Sequence, residues 1–289
     1  MKFMRLQKPA HRLLLAAACL LLAAGYAGLH VKEERPNSVF VLGSLHDYML
    51  DHPHYTLPVF VAAIERFRPD VILTEVRSDY PGPIDGSIDG GIEQSLVYAV
   101  GELQGFRVVP TDWFDDELIR ALVSEELNSL SDPDLAIASK KYVELFKHAS
   151  FSTLQGEETQ ALVRDIYRRQ EMHGEMLSST RNEHICQNIS DQLAKLHGKR
   201  VLVVFGLDHK YFLEDCVRRH GDQVALPPDV STTSSLPEDV RDRALSYVRA
   251  SKAALKERLA TGYYSTVYAE RLKGKLPDFD EWIGTLSSN

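Results

Sequence analysis

The chain has 289 residues, 44% of them apolar and 26% charged, with a formal charge of −8 at pH 7. That is enough apolar sequence for one large core or two small ones, and an ordinary charge content for a globular protein. The acidic balance leaves no basic face and argues against a nucleic-acid partner.

The first 27 residues carry Lys2, Arg5, Lys8 and Arg12 and no acid, so the remainder carries a formal charge of about −12. Leu13–Ala24 is uninterrupted apolar sequence, and Gly25-Tyr26-Ala27 offers a small-x-small cleavage site. Residues 1–30 therefore read as a signal peptide. The apolar stretch runs on to Leu29, roughly 17 residues and the lower limit for a spanning helix, so an uncleaved N-terminal membrane anchor competes. Either way the body is expected to be exported, periplasmic or extracellular, or held at the membrane by this segment. Cys19 follows a poor lipobox, Ala16-Ala17-Ala18, which argues against lipidation. Cys186 and Cys216 fall in predicted helices, and the sequence leaves both a bridge and two buried thiols open.

Beyond the leader, Ser38–Gly43 reads as a buried strand. A polar, His-rich loop follows over Asp47–Pro58, then a helix over Val59–Phe67 that Arg68-Pro69-Asp70 ends. Val71–Val76 is the second strand. Ser78–Gly91, dense in Gly and Pro, reads as a mobile loop. A helix over Ile92–Leu103 leads through Gly105 to a third strand, Arg107–Pro110. From Phe114 to His197 only helical periodicity is present. Sheet character returns at Arg200–Phe205, followed by a helix over Lys210–Arg219 and a short strand near Gln223–Leu226. The expected organisation is an α/β domain over 31–226 with a mostly parallel central sheet, flanking helices and a helical insertion at about 114–197. Residues 227–289 read as a linker and a C-terminal helical tail packing on the body.

Two strands end in the same pattern: Gly43-Ser44-Leu45-His46 and Gly206-Leu207-Asp208-His209. In an open α/β sheet, strand C-termini share one edge, where ligands bind, so both imidazoles can meet there. Gly43 and Gly206 permit a sharp turn and close approach of a ligand. Glu75 lies near the end of an apolar strand, where a lone carboxylate is costly unless paired. It reads as a metal ligand or base, or as a partner of Arg77. Asp112 ends the third strand on the same edge, or caps the helix starting near Asp115. Arg181 suits carboxylate or phosphate recognition and Asn182 suits orientation of a carbonyl. His184 shares the Arg181 face at one remove. Asp208 orients His209 or caps the next helix. His52 and His54 read as exposed loop residues. Glu171–Glu175 lacks the paired histidines of a zincin helix, and no phosphate-loop, nucleophile-elbow or dinucleotide fingerprint is present.

In this order, Gly43–His46, Glu75, Arg181-Asn182 and Gly206–His209 resemble the TraB/PrgY/GumN family, whose animal relatives are the TIKI proteins. Coverage runs from about Ser38 to Leu226, and Arg181–His209 is the most specific match. The resemblance implies an α/β fold with a helical insertion and links to ChaN-like and erythromycin-esterase-like proteins. It implies a divalent-metal-dependent protease for TIKI-like members, action on a peptide for PrgY-like ones and haem binding for ChaN-like ones. Asp208 departs from the pattern, since small residues are common there.

The leading expectation is an extracytoplasmic, peptidase-like hydrolase acting on a peptide or a small ester or amide. His46, Glu75 and His209 gather a divalent ion (Mn, Co or Zn), which lowers the pKa of its water. Arg181 stabilises the tetrahedral intermediate and Asn182 positions substrate. One alternative is a metal-independent esterase-like hydrolase with His46 as general base and Glu75 orienting it. The other is a non-catalytic peptide- or haem-binding protein, for which His52, His54 and His220 leave ligation open.

Overall fold

The computed structural model describes residues 35–124, 128–230 and 235–288; the expected leader at 1–30 lies outside them. In chain order the elements are β1 (Ser38–Ser44), α1 (Leu57–Phe67), β2 (Val71–Arg77), α2 (Pro83–Asp89), α3 (Ile92–Gln104) and β3 (Arg107–Asp112). The helical stretch comprises α4 (Asp116–Ser124), α5 (Pro133–His148), α6 (Phe151–Leu154), α7 (Glu157–Met172) and α8 (Leu177–Leu193). Then come β4 (Arg200–Gly206), α9 (Lys210–His220), β5 (Gln223–Val224) and the tail helices α10 (Glu238–Thr261), α11 (Thr266–Lys273) and α12 (Leu276–Ser288). None of these helices is long and apolar enough to cross a membrane, among the described residues.

The fold is α/β, as the strand–helix alternation predicts. Its five strands are all parallel, in the order β3-β2-β4-β1-β5. Side chains alternate across the sheet. Phe40, Leu42, Ile72, Leu202 and Val204 face one core with α1, α3 and the tail helices. Val39, Val41, Leu73, Val201, Val203 and Phe205 face another with α8 and α9. Two covered faces explain why the strands read as continuous apolar runs. Each such side chain contributes about 1.5–3 kcal/mol by leaving water. Pro110 has no N–H to give a ladder, and it lies in β3, an edge strand.

The strand order positions the site. β1 and β2 are not neighbours; β4 returns from the helical stretch and slots between them. Three strand C-termini, carrying His46, Glu75 and the His209 turn, therefore lie side by side.

Two local expectations are corrected. Ser78–Gly91 is not a bare loop, since it holds α2, and the tail fastens it. Lys275 Nζ donates to the carbonyls of Ile88, Asp89 and Gly90, Ser251 Oγ donates to the Ile84 carbonyl, and Arg258 pairs with Asp85. Asp47–Pro58 opens with a 3-10 turn, His46–Leu50. His52 within it is buried: its Nε2 donates to the Phe146 carbonyl and its Nδ1 accepts the Tyr55 N–H. The tail helices pack into the main core through Val240, Val248, Tyr268, Phe279 and Trp282. The two cysteines, left open by the sequence, form a disulfide, Cys186–Cys216, that ties α8 to α9.

Candidate active site

The two Gly-x-x-His turns interlock. Gly43 is extended strand, and its lack of a side chain makes room for the opposite turn rather than for a ligand. A β-carbon there would meet Leu207 Cδ1 at 2.6 Å and the Leu207 α-carbon at 3.0 Å. Gly206 does the same for the first turn, since its β-carbon would lie 2.6 Å from His46 Nε2. Gln155 clasps the Gly43 peptide, accepting from its N–H at 2.9 Å and donating to its carbonyl at 2.8 Å. Tyr55 donates to the same carbonyl.

His46 has φ 51°, a left-handed conformation that non-glycine residues rarely adopt. Among the described residues only Arg68 shares it, and Arg68 closes α1, donating its N–H to the Ile64 carbonyl. The turn at His46 closes no helix; it carries the imidazole to the sheet edge. There its Nδ1–H donates to Glu93 at 2.7 Å, and its Nε2 stands 3.9 Å from Glu75 Oε2. Burial disfavours the imidazolium, but Glu93 first, then Glu75 and Asp47, outweigh it and raise the pKa to about 9.

Glu75 sits where the β2–β4 ladder ends, at Thr74 opposite Val204, and where the β2–β3 register shifts. Its carboxylate replaces a ladder partner by accepting the Gly206 N–H at 2.6 Å. It also pairs with Arg181 at 3.0 Å, not with Arg77, which binds Asp79. Burial works against its charge, yet the two imidazoles, Arg181 and the Gly206 N–H together hold its pKa down to about 2.

Arg181 joins three groups. Nη2 donates to Glu75 and to both oxygens of Asp112, at 2.9 and 2.8 Å; Nη1 donates to His209 Nε2 at 3.0 Å. Asp112 is thus the carboxylate seat of Arg181, while Asp115 caps α4 by accepting the Leu118 N–H. His209 Nδ1–H donates to Asn182 Oδ1 at 2.5 Å. Burial, with Arg181 alongside, lowers the His209 pKa to about 4 and keeps the ring neutral.

These contacts sort the sequence expectations. His46, Glu75, Asp112 and Arg181 line one cavity of ≈ 240 Å³, together with Asp47, Asp89, Gly90, Gly91, Phe114, Arg271 and Lys275. His209 stands behind Arg181. Asn182, fully buried, positions His209 and does not line the cavity. His184 stacks on Trp113, with ring centroids 3.8 Å apart, away from the cavity lining. Asp208 neither orients His209 nor caps a helix; it accepts from the Tyr142 hydroxyl of α5.

A three-ligand ion does not fit this arrangement. The only lone pair of neutral His209 not spoken for by its own proton faces the Arg181 guanidinium, a cation 3.0 Å away. His46 Nε2 and Glu75 Oε2 remain as two donors, fewer than the three protein ligands usual in catalytic zinc sites. Among the described residues no group of three or more His, Cys, Asp or Glu is arranged to hold a metal.

Glu93 was not singled out in the sequence. It is completely buried, its Oε2 has no partner, and Gly91 leaves the space it needs: a β-carbon there would lie 2.4 Å from Oε2. The legible signal is the pair Gly90-Gly91 just before an acid in an apolar helix. Gln155 carried no such signal.

No family model, no curated protein and no solved structure matches the chain.

Proposed function

We propose that this cavity is the active site of a hydrolase of the TraB/PrgY/GumN type that cleaves an amide or ester by general acid–base catalysis at His46. The observation that carries it is the imidazole held between a buried carboxylate and a second one at the cavity wall, Glu93 at 2.7 Å and Glu75 at 3.9 Å. The order of the motifs along the chain, and the convergence of His46, Glu75 and Arg181 at one cavity with His209 behind Arg181, support the family reading.

The chemistry follows from the tautomer. With Nδ1–H given to Glu93, the Nε2 lone pair of neutral His46 points toward Glu75. A water hydrogen-bonded to both Nε2 and Glu75 Oε2 fits a 3.9 Å gap. His46 takes its proton as the oxygen attacks the carbonyl carbon. The imidazolium so formed lies between two carboxylates and then returns the proton to the leaving nitrogen or oxygen. Arg181, charged and fixed by Glu75 and Asp112, stabilises the oxyanion. His209 and Asn182 position Arg181. Glu93 takes the orienting role expected of Glu75 in the metal-independent alternative.

The cavity volume of ≈ 240 Å³ lies below the about 300–1,000 Å³ of typical small-molecule sites, which favours the end of a peptide or a small ester over haem. The Cys186–Cys216 bridge is of a kind that persists in oxidising compartments, which supports an exported protein.

The test is hydrolysis of a peptide library and an aryl-ester panel by the full chain and by His46→Asn. We expect turnover that falls by about 10²–10⁴-fold in the variant. Equal turnover by both proteins overturns the assignment.

A further inference from the structure

The tail contributes two cations to the cavity wall, Arg271 of α11 and Lys275 just beyond it. The other charged groups there have hydrogen-bonding partners of their own. Glu75 and Asp112 hold Arg181. Asp89 accepts from the Tyr268 hydroxyl and the Arg77 N–H. Asp47 lies close to the Ile92 N–H, at 3.4 Å.

Arg271 is the exception. Its guanidinium sits 4.5 Å above the Phe114 ring, which also meets Arg77 at 4.8 Å and Arg181 at 5.7 Å. Three guanidinium groups around one ring repel each other unless anions intervene. Arg77 has Asp79 and Arg181 has two carboxylates. Arg271 has no carboxylate within ion-pair distance among the described residues, and it is exposed at the cavity rim. Lys275 likewise has no carboxylate within ion-pair distance among the described residues, although Asp89, Glu93 and Asp47 lie near enough to favour its charge. Its three hydrogens are taken by the Ile88, Asp89 and Gly90 carbonyls, so it supplies charge but no free donor. Burial and the nearby Arg271 lower its pKa to about 8, which marks the two cations as neighbours.

We infer that Arg271, backed by the charge of Lys275, is the specificity residue of this site and takes a free carboxylate of the substrate. Arg271 offers a planar fork that matches a carboxylate with two parallel hydrogen bonds. Resting on the hydrolase reading above, this names the substrate class: a compound whose scissile amide or ester lies next to a terminal carboxylate, as in the last residue of a peptide. A small cavity with a cation at its rim suits a chain end better than a chain passing through.

The test separates the subsite from the chemistry. N-acetylglycine and N-acetylglycinamide are titrated into the full chain, its Arg271→Gln, Arg271→Glu and Arg271→Lys forms, and His46→Asn, and followed by calorimetry. We expect the acid to bind and the amide not to. Affinity should fall about fivefold in Arg271→Gln and further in Arg271→Glu, with recovery in Arg271→Lys. Arg271 is exposed, so these variants keep the fold; Lys275→Gln is avoided because Lys275 holds α2. Unchanged affinity in Arg271→Glu overturns the subsite. Binding of inorganic phosphate in place of the acid overturns the carboxylate assignment. In parallel, peptides with free and amidated C-termini are assayed for turnover. His46-dependent turnover with no preference for the free acid also overturns the subsite and leaves the hydrolase reading standing. Arg271-dependent binding without any turnover upholds the subsite and removes the hydrolase reading.

Discussion

His46 Nε2 lies against the backbone of Gly206, so close that a β-carbon at 206 would stand 2.6 Å from it. One motif's glycine is the space that the other motif's histidine occupies. Gly206 has φ −51°, which any residue adopts, so a substitution there acts through contact alone. Gly206→Ala is expected to push the imidazole off its place between Glu93 and Glu75. Overpacking of this kind costs about 1–3 kcal/mol. Urea denaturation should show that loss, and the His46 ring resonances should move in NMR spectra. An unshifted ring with full stability would mean the turns do not interlock.

Glu93→Gln tests the orienting carboxylate. His46 has a folded pKa of about 9, above its unfolded value of 6.5. Its contribution to stability is therefore fully present below pH 6.5 and is lost as pH rises through about 9. Without the Glu93 charge the folded pKa falls toward 6.5 and the stability slope between those values flattens. The rate should follow the same group. Wild-type turnover, which needs neutral His46, rises toward pH 9, whereas the variant levels off at lower pH with a lower maximum. An NMR titration of the imidazole at both proteins is the direct check, and an unchanged midpoint would remove Glu93 from its role.

Much of the arrangement of this candidate site is legible in the sequence. The strands announce themselves as apolar runs ended by glycine, and the topology that puts β4 between β1 and β2 makes those ends converge. What stayed hidden were groups whose role depends on contacts distant in sequence. Glu93 looks like an ordinary acid in a helix's first turn until His46 arrives from 47 residues away. Asn182 sits beside Arg181 in sequence, yet on the helix it faces His209 and never meets the cavity. The Gly- and Pro-rich stretch before α3 has weak local propensity. It is helical over α2 because Lys275, Ser251 and Arg258 of the tail satisfy its polar groups. Tertiary contacts override propensity there.

The disulfide braces the helix that carries Arg181 against the helix that follows His209. Cys186 lies five residues past Arg181, and Cys216 lies in the helix that follows His209. With a sequence separation of 30, the bridge is expected to contribute about 3–4 kcal/mol by restricting the unfolded chain. Cys186→Ser with Cys216→Ser should lower the urea midpoint accordingly, and reductant should do the same to wild type alone. Equal midpoints in reducing and oxidising buffer would show that the bridge does not restrain the fold.

Metal removal tests the occupied lone pair of His209. With Arg181 at 3.0 Å from His209 Nε2, a third ligand is missing. Turnover is expected to survive EDTA, and Mn, Co or Zn should leave Tm unchanged. A shift in Tm with one of these ions in wild type, absent in His46→Ala and His209→Ala, would instead support the three-ligand site that the sequence suggested.

Arg181→Lys separates charge from geometry. Arginine bridges Glu75, Asp112 and His209 with one planar group, and lysine keeps the charge but cannot span all three. Removing the cation outright, as in Arg181→Ala, leaves two buried carboxylates unpaired and costs about 3–5 kcal/mol. The lysine form should keep most of that stability, since an ammonium can still sit between Glu75 and Asp112. It should nonetheless lose about 10²–10³ in kcat, the usual cost of one misplaced oxyanion donor. KM should change little, because substrate holding falls to other groups in the cavity. His209 supplies the structural control. Freed from the guanidinium next to its Nε2, its ring should titrate above its present value of about 4. A lysine form with full kcat would place the oxyanion elsewhere in the cavity, whereas one with raised KM and normal kcat would make Arg181 a substrate-holding residue.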